Sequence, residues 1–156
     1  MDVSVDTIEK IKSANGAITA VGTTSLRTIE TLYWLAVKAY LQPNLKTLEL
    51  RQWEVYEAPL NNANLSCTQA LEHLLLWLKK NNKTSLFTQT QLIIAPGYQF
   101  RVAQILITNF HQPQSTLLLL VAAAVGNNWK NLYQFAMENN FRFLSYGDAN
   151  LIFINS

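Results

Sequence analysis

The sequence predicts an α/β fold, a layered sheet with helices packed on it. Two observations carry that prediction. Short apolar runs interleave with longer stretches whose apolar residues recur at helical spacing, and Gly, Asn and Pro separate one from the next. The composition, 49% hydrophobic and 14% charged over 156 residues, suits a single well-packed domain spanning 1–156 and argues against disorder.

The elements follow in order. Val5, Ile8 and Ile11 predict a short helix over residues 5–15, stopped by Asn15-Gly16. Ala17 to Val21 is short and apolar and predicts a buried strand, which Gly22 breaks. Thr23-Thr24-Ser25 opens a helix to about Tyr40. Its stripe is Leu26, Ile29, Tyr33, Ala36 and Tyr40, widened by Leu32 and Leu35, and Pro43-Asn44 ends it. Trp53 to Tyr56 fits a strand, and Pro59 to Asn64 is loop by composition. Ser66 and Gln69 have the spacing of a capping box, opening a helix whose core face is Leu71, Leu74, Leu75 and Leu78. Asn81-Asn82 stops that helix.

Leu92 to Ala95 and Ile105 to Thr108 predict strands, with Pro96-Gly97 turning the chain between them. The run Leu117 to Val125 falls far short of the roughly 20 residues that span a bilayer, so it predicts a buried helix. Trp129, Leu132, Tyr133 and Ala136 mark one more helix. The chain closes with Phe141 to Tyr146, the turn Gly147-Asp148 and a strand from Leu151 to Ile154.

Charge and cysteine content narrow the function. A net charge of +2 with no basic run is no argument for nucleic acid, although a local patch in the fold remains open. The single Cys67 forms no internal disulfide and fits a reducing setting. Asp2, Asp6, Glu9, Lys10 and Lys12 interrupt the N-terminus, which does not read as a secretory signal. A cytoplasmic protein with no membrane role is expected. Cys67 with a lone histidine makes no metal site, so no metal is expected.

Three stretches hold the polar groups that chemistry needs. In Val21-Gly22-Thr23-Thr24-Ser25-Leu26-Arg27 a strand ends, Gly permits a tight turn, and a helix starts with outward backbone N–H groups. A cation such as Arg27 opposes the dipole there, and a bound anion would reconcile the two. The same residues also fit a plain helix cap with a solvated arginine. In the second stretch His111 follows Thr108 and Asn109, and Ser115-Thr116 follow Pro113. His111 suits a general base or a ligand donor, and equally a histidine pinning the turn through a backbone carbonyl. Ser115 or Thr116 is the natural N-cap of the apolar helix. The third, Phe141 to Asp148, sets Arg142, Tyr146 and Asp148 around a turn signal, where an Asp commonly bonds its own backbone. His73, on a Leu-rich helix, reads as structural.

VGTTSLRTIE (Val21 to Glu30), APGYQF (Ala95 to Phe100), ITNFHQPQSTLLLLV (Ile107 to Val121) and FRFLSYGDANLI (Phe141 to Ile152), in this series, resemble the S-adenosylmethionine:tRNA ribosyltransferase-isomerase family of queuosine biosynthesis. The resemblance implies the C-terminal part of the larger domain of a two-domain enzyme. The family's upstream half and its smaller β-barrel domain would lie before Met1, and that missing part of the chain would be a partner of this one. Gln104 and Gln114 stand where the family pattern has an Asp and a Lys, and the segment Gln42 to Ser85 is longer than typical.

The activity implied is transfer of the ribosyl part of S-adenosylmethionine, a co-substrate, onto the 7-aminomethyl-7-deazaguanine wobble base of tRNA. Isomerisation then gives epoxyqueuosine, with adenine and methionine released. By the resemblance, His111 and Asp148 are the acid–base candidates. Thr23, Thr24, Ser25, Arg27, Thr108, Asn109, Ser115 and Thr116 would contact the co-substrate, and Arg142 and Tyr146 the tRNA base. The competing expectation is a non-catalytic paralogue that binds tRNA or a partner protein, which the two Gln substitutions favour mildly. A soluble α/β domain with some other ligand is the third reading.

Overall fold

The computed structural model describes residues 1–112 and 115–154. In chain order its elements are β1 (Asp2–Ser4), α1 (Val5–Lys12), β2 (Thr19–Val21), α2 (Thr23–Leu41), α3 (Cys67–Lys80), β3 (Ser85–Phe87), β4 (Ile105–Asn109), α4 (Thr116–Val125), α5 (Trp129–Glu138) and β5 (Ala149–Phe153). The α/β class is as predicted. The chain gathers into two compact units, Met1–Gly16 with Arg27–Leu92, and Ala17–Leu26 with Ile93–Ser156, the boundary inside α2 falling after its first turn.

In the first unit β1 pairs antiparallel with β3, joining Val3 to Leu86, and both side chains are buried. Neither strand is legible in the sequence, because three residues are too few to show a period and their partners lie some 80 positions apart. Ser4 caps α1 by accepting from the Thr7 N–H, and α1 packs on α3. The capping box of α3 forms in full: the Gln69 N–H donates to Ser66 Oγ at 3.2 Å, and the Ser66 N–H to Gln69 Oε1 at 3.0 Å. Leu71, Leu74 and Leu78 are buried as predicted; Ala70 and Trp77 join them, while Leu75 is half-buried.

Along α2 every residue from Glu30 to Val37 is buried, so the expected stripe is in fact a helix covered nearly all round. Tyr40 lies outside that core. The strand expected over Trp53 to Tyr56 is instead a 3-10 turn, Glu54–Tyr56. Glu54 holds it closed, accepting from Lys38 Nζ at 2.6 Å and from the Arg51 N–H at 2.8 Å. These local hydrogen bonds compete with strand pairing.

The second unit is built on a three-stranded sheet in the order β2-β4-β5. β2 runs parallel to β4 with Val21 beside Ile107, and β5 runs antiparallel with Ala149 beside Asn109. The expected buried strand Ala17 to Val21 shortens to an edge strand with only Ala20 buried, since alternate residues of an edge strand face outward. The segment Leu92 to Ala95 belongs to neither described sheet. Its alternation arises because Leu92 and Ile94 are buried in the core, without strand pairing. The turn at Pro96-Gly97 does form, with the Tyr98 N–H on Ala95 O at 2.9 Å and Gly97 at φ +95°.

Gln104 begins β4. Its Oε1 accepts the Ile18 N–H at 2.7 Å, and its backbone pairs with Ile18 and Ile154. α4 packs against β5 and α5 and buries Leu120, Val121, Ala122 and Ala124, while Leu119 remains 41% exposed. Among the described residues no helix is long and apolar enough to cross a membrane.

Candidate functional site at one end of the sheet

The strand directions bring three chain segments to one end of the second unit's sheet. β2 leaves there, β4 leaves there, and the antiparallel β5 enters there. Ligands of open α/β sheets bind at the carboxyl ends of parallel strands, which is this end.

At the exit of β2 the Gly22 N–H still donates to Ile107 O at 2.8 Å, and the Leu26 N–H bonds Gly22 O at 3.1 Å. Gly22 sits at φ +88°, a left-handed conformation that turns strand into helix within one residue. By helix geometry the N–H groups of Thr23, Thr24 and Ser25 have no intrahelical acceptor, so the first turn presents donors of the kind that suit an anion. Thr23 is buried, and Thr24 and Ser25 are exposed. Arg27 is half-buried and belongs to the first unit, where its carbonyl accepts from Thr31 Oγ1 at 2.7 Å.

At the exit of β4 the Thr108 hydroxyl meets His111 Nε2 at 3.0 Å, and the His111 backbone N–H donates to the Tyr133 hydroxyl at 3.0 Å. His111 is thus held through its ring by Thr108 and through its backbone by α5. Burial holds its imidazole below its ordinary pKa, so the neutral ring predominates near pH 7. Directly across the strand pair from Thr108, Asn150 is buried, with no hydrogen-bond partner for its Nδ2 among the described residues. Phe110 is fully buried, 5.5 Å from Tyr133, 5.5 Å from Phe141 and 5.3 Å from Phe143 between ring centroids. That cluster fastens residues 141–148 to the His111 turn, and the Leu144 N–H adds a bond to Phe110 O at 2.9 Å.

The loop before β5 is closed on itself. The Asp148 carboxylate accepts from the Arg142 N–H at 2.7 Å and from its guanidinium at 3.1 Å. Those two donors hold the carboxyl below its ordinary pKa. An acid role for Asp148 near pH 7 does not suit this arrangement, which makes it a closure of the loop. Asn109 Nδ2 donates to Gly147 O and Asp148 O, each at 3.3 Å, tying the same loop to β4. Arg142 is turned to Asp148 with its side chain 73% exposed, and Tyr146 is 98% exposed. Ser115 is the N-cap of α4, accepting from the Leu118 N–H at 3.2 Å, and Thr116 is exposed beside it. Gln114 lies outside the described residues. The sequence reading took Tyr133 only as a mark of a helix and gave Phe110 no role, since nothing in spacing links Tyr133 to a histidine 22 positions away.

Among the described residues no group of His, Cys, Asp or Glu could hold a metal. Two cavities, about 380 and 470 Å³, are lined by residues of the first unit alone.

The model of a family described as queuosine biosynthesis protein matches residues 1–152. The chain belongs to that family. Among its relatives, the S-adenosylmethionine:tRNA ribosyltransferase-isomerase of Buchnera aphidicola subsp. Schizaphis graminum is 35% identical over 160 residues, covering 100% of this chain and 33% of the relative. The protein of the same name from Nitrosomonas eutropha is 35% identical over 150 residues, with 96% and 31% covered. The crystal structure of S-adenosylmethionine tRNA ribosyltransferase from Thermotoga maritima superposes with a TM-score of 0.59 at 28% identity, covering 96% of this chain and 38% of that one. The chain thus spans about a third of the length of the curated queuosine biosynthesis relatives it matches.

Proposed function

We propose that this chain supplies part of the catalytic apparatus of an S-adenosylmethionine:tRNA ribosyltransferase-isomerase. In this reading residues 1–156 act as one α/β domain, the C-terminal part of the larger domain, and the reaction occurs in the cytoplasm. The ribosyl part of S-adenosylmethionine passes to the aminomethyl group of the 7-deazaguanine wobble base and isomerises to epoxyqueuosine, releasing adenine and methionine.

One observation carries the proposal: a neutral His111 and the open first turn of α2 share one end of a sheet in a chain of this family. The amides and hydroxyls of Thr23, Thr24 and Ser25 hold the methionine carboxylate. His111 takes the proton from the carbon beside the sulfonium, whose positive charge acidifies it. In the required tautomer Nε2–H donates to Thr108 Oγ1, and Nδ1 carries the lone pair that accepts the proton. Tyr133 and Thr108 position that ring. Asp148 is assigned a positioning role, and the exposed Tyr146 and Arg142 face the tRNA.

Gln104 gives no support to a non-catalytic paralogue. From just before β4 its side chain accepts the Ile18 N–H ahead of β2, about 17 Å along the chain from Asn109 at ~3.4 Å per residue.

Adenine release from S-adenosylmethionine, with a tRNA bearing the deazaguanine, tests the reading in the complete enzyme. His111→Gln is expected to lower the rate by about 10²–10⁴-fold while co-substrate binding persists. No release by the unsubstituted enzyme, or an unchanged rate in the variant, would sink it. The 156 residues alone are expected to turn over weakly or not at all.

A further inference from the structure

In the first unit α1 packs on α3, and the Val5 N–H on Thr84 O at 3.0 Å sets the start of α1 beside the end of α3. An open groove of about 470 Å³ lies between the two helices. Its apolar part is Val5, Leu75 and Leu76. Leu76 is 57% exposed, on a helix whose other leucines are buried or half-buried.

The charges beside that leucine follow an order. Glu72 and Lys79 stand seven residues apart, so at about 3.6 residues per turn they share one face of α3. Leu75 and Leu76 lie between them, one on each side of the line that joins them. Both charges are exposed, and neither has an ion-pair partner among the described residues.

This stripe is self-complementary under a two-fold axis, the symmetry of most dimers. A second α3 laid antiparallel on the first, with the axis between Leu75 and Leu76, sets each Glu72 against the partner's Lys79. The same axis sets each Leu75 against the partner's Leu76. A parallel pairing would oppose Glu72 to Glu72 and Lys79 to Lys79, which repel. On the α1 side the groove carries Glu9 and Lys12, and Lys83 stands past the end of α3. With both signs present, a uniformly acidic or basic partner meets like charges, whereas a copy of the same surface gives Glu72 and Lys79 each an opposite.

We infer that this groove is the interface of a homodimer, in which α3 of one copy seats Leu76 in the groove between α1 and α3 of the other. Four helices, two from each copy, then stack around Leu75 and Leu76. The 14 residues of α3 give it a length of about 21 Å at ~1.5 Å per residue, room for the two leucine pairs with a charge pair on either side. The inference goes beyond the catalytic reading and uses none of the residues assigned there.

Sedimentation equilibrium of the full 156-residue chain, from micromolar to millimolar concentration, reads the interface directly. A monomer–dimer equilibrium is expected, and Leu76→Lys is expected to weaken it at least about tenfold. Glu72→Lys alone and Lys79→Glu alone each oppose like charges across the axis and are expected to weaken it by about threefold to thirtyfold. Glu72→Lys combined with Lys79→Glu reverses both pairs, and the parent affinity is expected to return to within about twofold. All three positions are exposed, so the variants should keep the unfolding transition of the parent chain. Should Leu76→Lys unfold the chain, the charge reversal carries the test alone. A chain that stays monomeric at millimolar concentration overturns the inference, whether or not another protein fills the groove. So does a dimer indifferent to Leu76→Lys, or one that the double reversal leaves as weak as the single variants. Association is read without S-adenosylmethionine or tRNA, so a failure of the catalytic reading leaves this result interpretable.

Discussion

Asp148 grips Arg142 twice, through its backbone N–H at 2.7 Å and its guanidinium at 3.1 Å, and so closes the loop that leads into β5. Asp148→Asn keeps the shape but loses the charge, and is expected to reduce activity by less than about tenfold, well short of the effect of losing a general base. The carboxyl is held below its ordinary pKa of 3.8 in the folded chain. Its contribution to stability is therefore fully present above pH 3.8, and it is lost as pH falls through the depressed folded value. Hydrogen exchange of the 142–148 amides, followed from pH 5 downward, should show protection that persists to 3.8 and falls away as the carboxyl protonates below it. Protection that is lost already above 3.8 would contradict the assignment.

Gly147 has no room for a side chain. A Cβ there would overlap the Arg142 carbonyl oxygen and stand 2.6 Å from Arg142 C and 2.7 Å from Phe143 O. All three are backbone atoms and cannot rotate away. Gly147→Ala is expected to destabilise the chain by about 1–3 kcal/mol, the usual cost of overpacking, as measured by urea unfolding. A change under ~0.5 kcal/mol would show that the loop relaxes freely.

His111 is expected to titrate below 6.5, because burial disfavours the imidazolium. The sign follows from linkage: a depressed folded pKa stabilises the fold above 6.5, and that contribution disappears as pH falls through the folded value. NMR titration of the ring protons checks the direction, and a midpoint above 6.5 would remove the basis for a neutral base. Tyr133→Phe, which deletes the hydroxyl acceptor of the His111 N–H, is expected to cost about 0.5–1.5 kcal/mol.

The Cys67 thiol is pushed up to about 11, by burial first and by the charge of Glu30 second. Thiolate is the reactive form, so alkylation at pH 8 should run about a hundredfold slower than for a free cysteine of pKa ~8.5. Iodoacetamide labelling followed by mass spectrometry reads this directly, and labelling at the free-thiol rate would refute it.

What could be read from the residues alone was whatever is decided locally. The capping box of Ser66 and Gln69, the glycine turn after Val21, the α2 start at Thr23 and the Ser115 cap each depend on neighbours within four positions. The family motifs are local strings too, and they pointed to the family that matches residues 1–152. Strands without a long period were illegible: Asp2–Ser4 and Ser85–Phe87 exist because they pair with each other, while Leu92 to Ala95 alternates for the sake of the core.

The site divides along the same line. The polar density around the turns at His111 and Asp148 was visible in the sequence. The burial that lowers the His111 pKa and the bond from its backbone to Tyr133 come from other elements, whereas Asp148 is tied to Arg142 within its own loop. Local hydrogen bonds and turn geometry are encoded in adjacent residues, whereas burial, pKa and the groove between α1 and α3 arise only when distant segments meet.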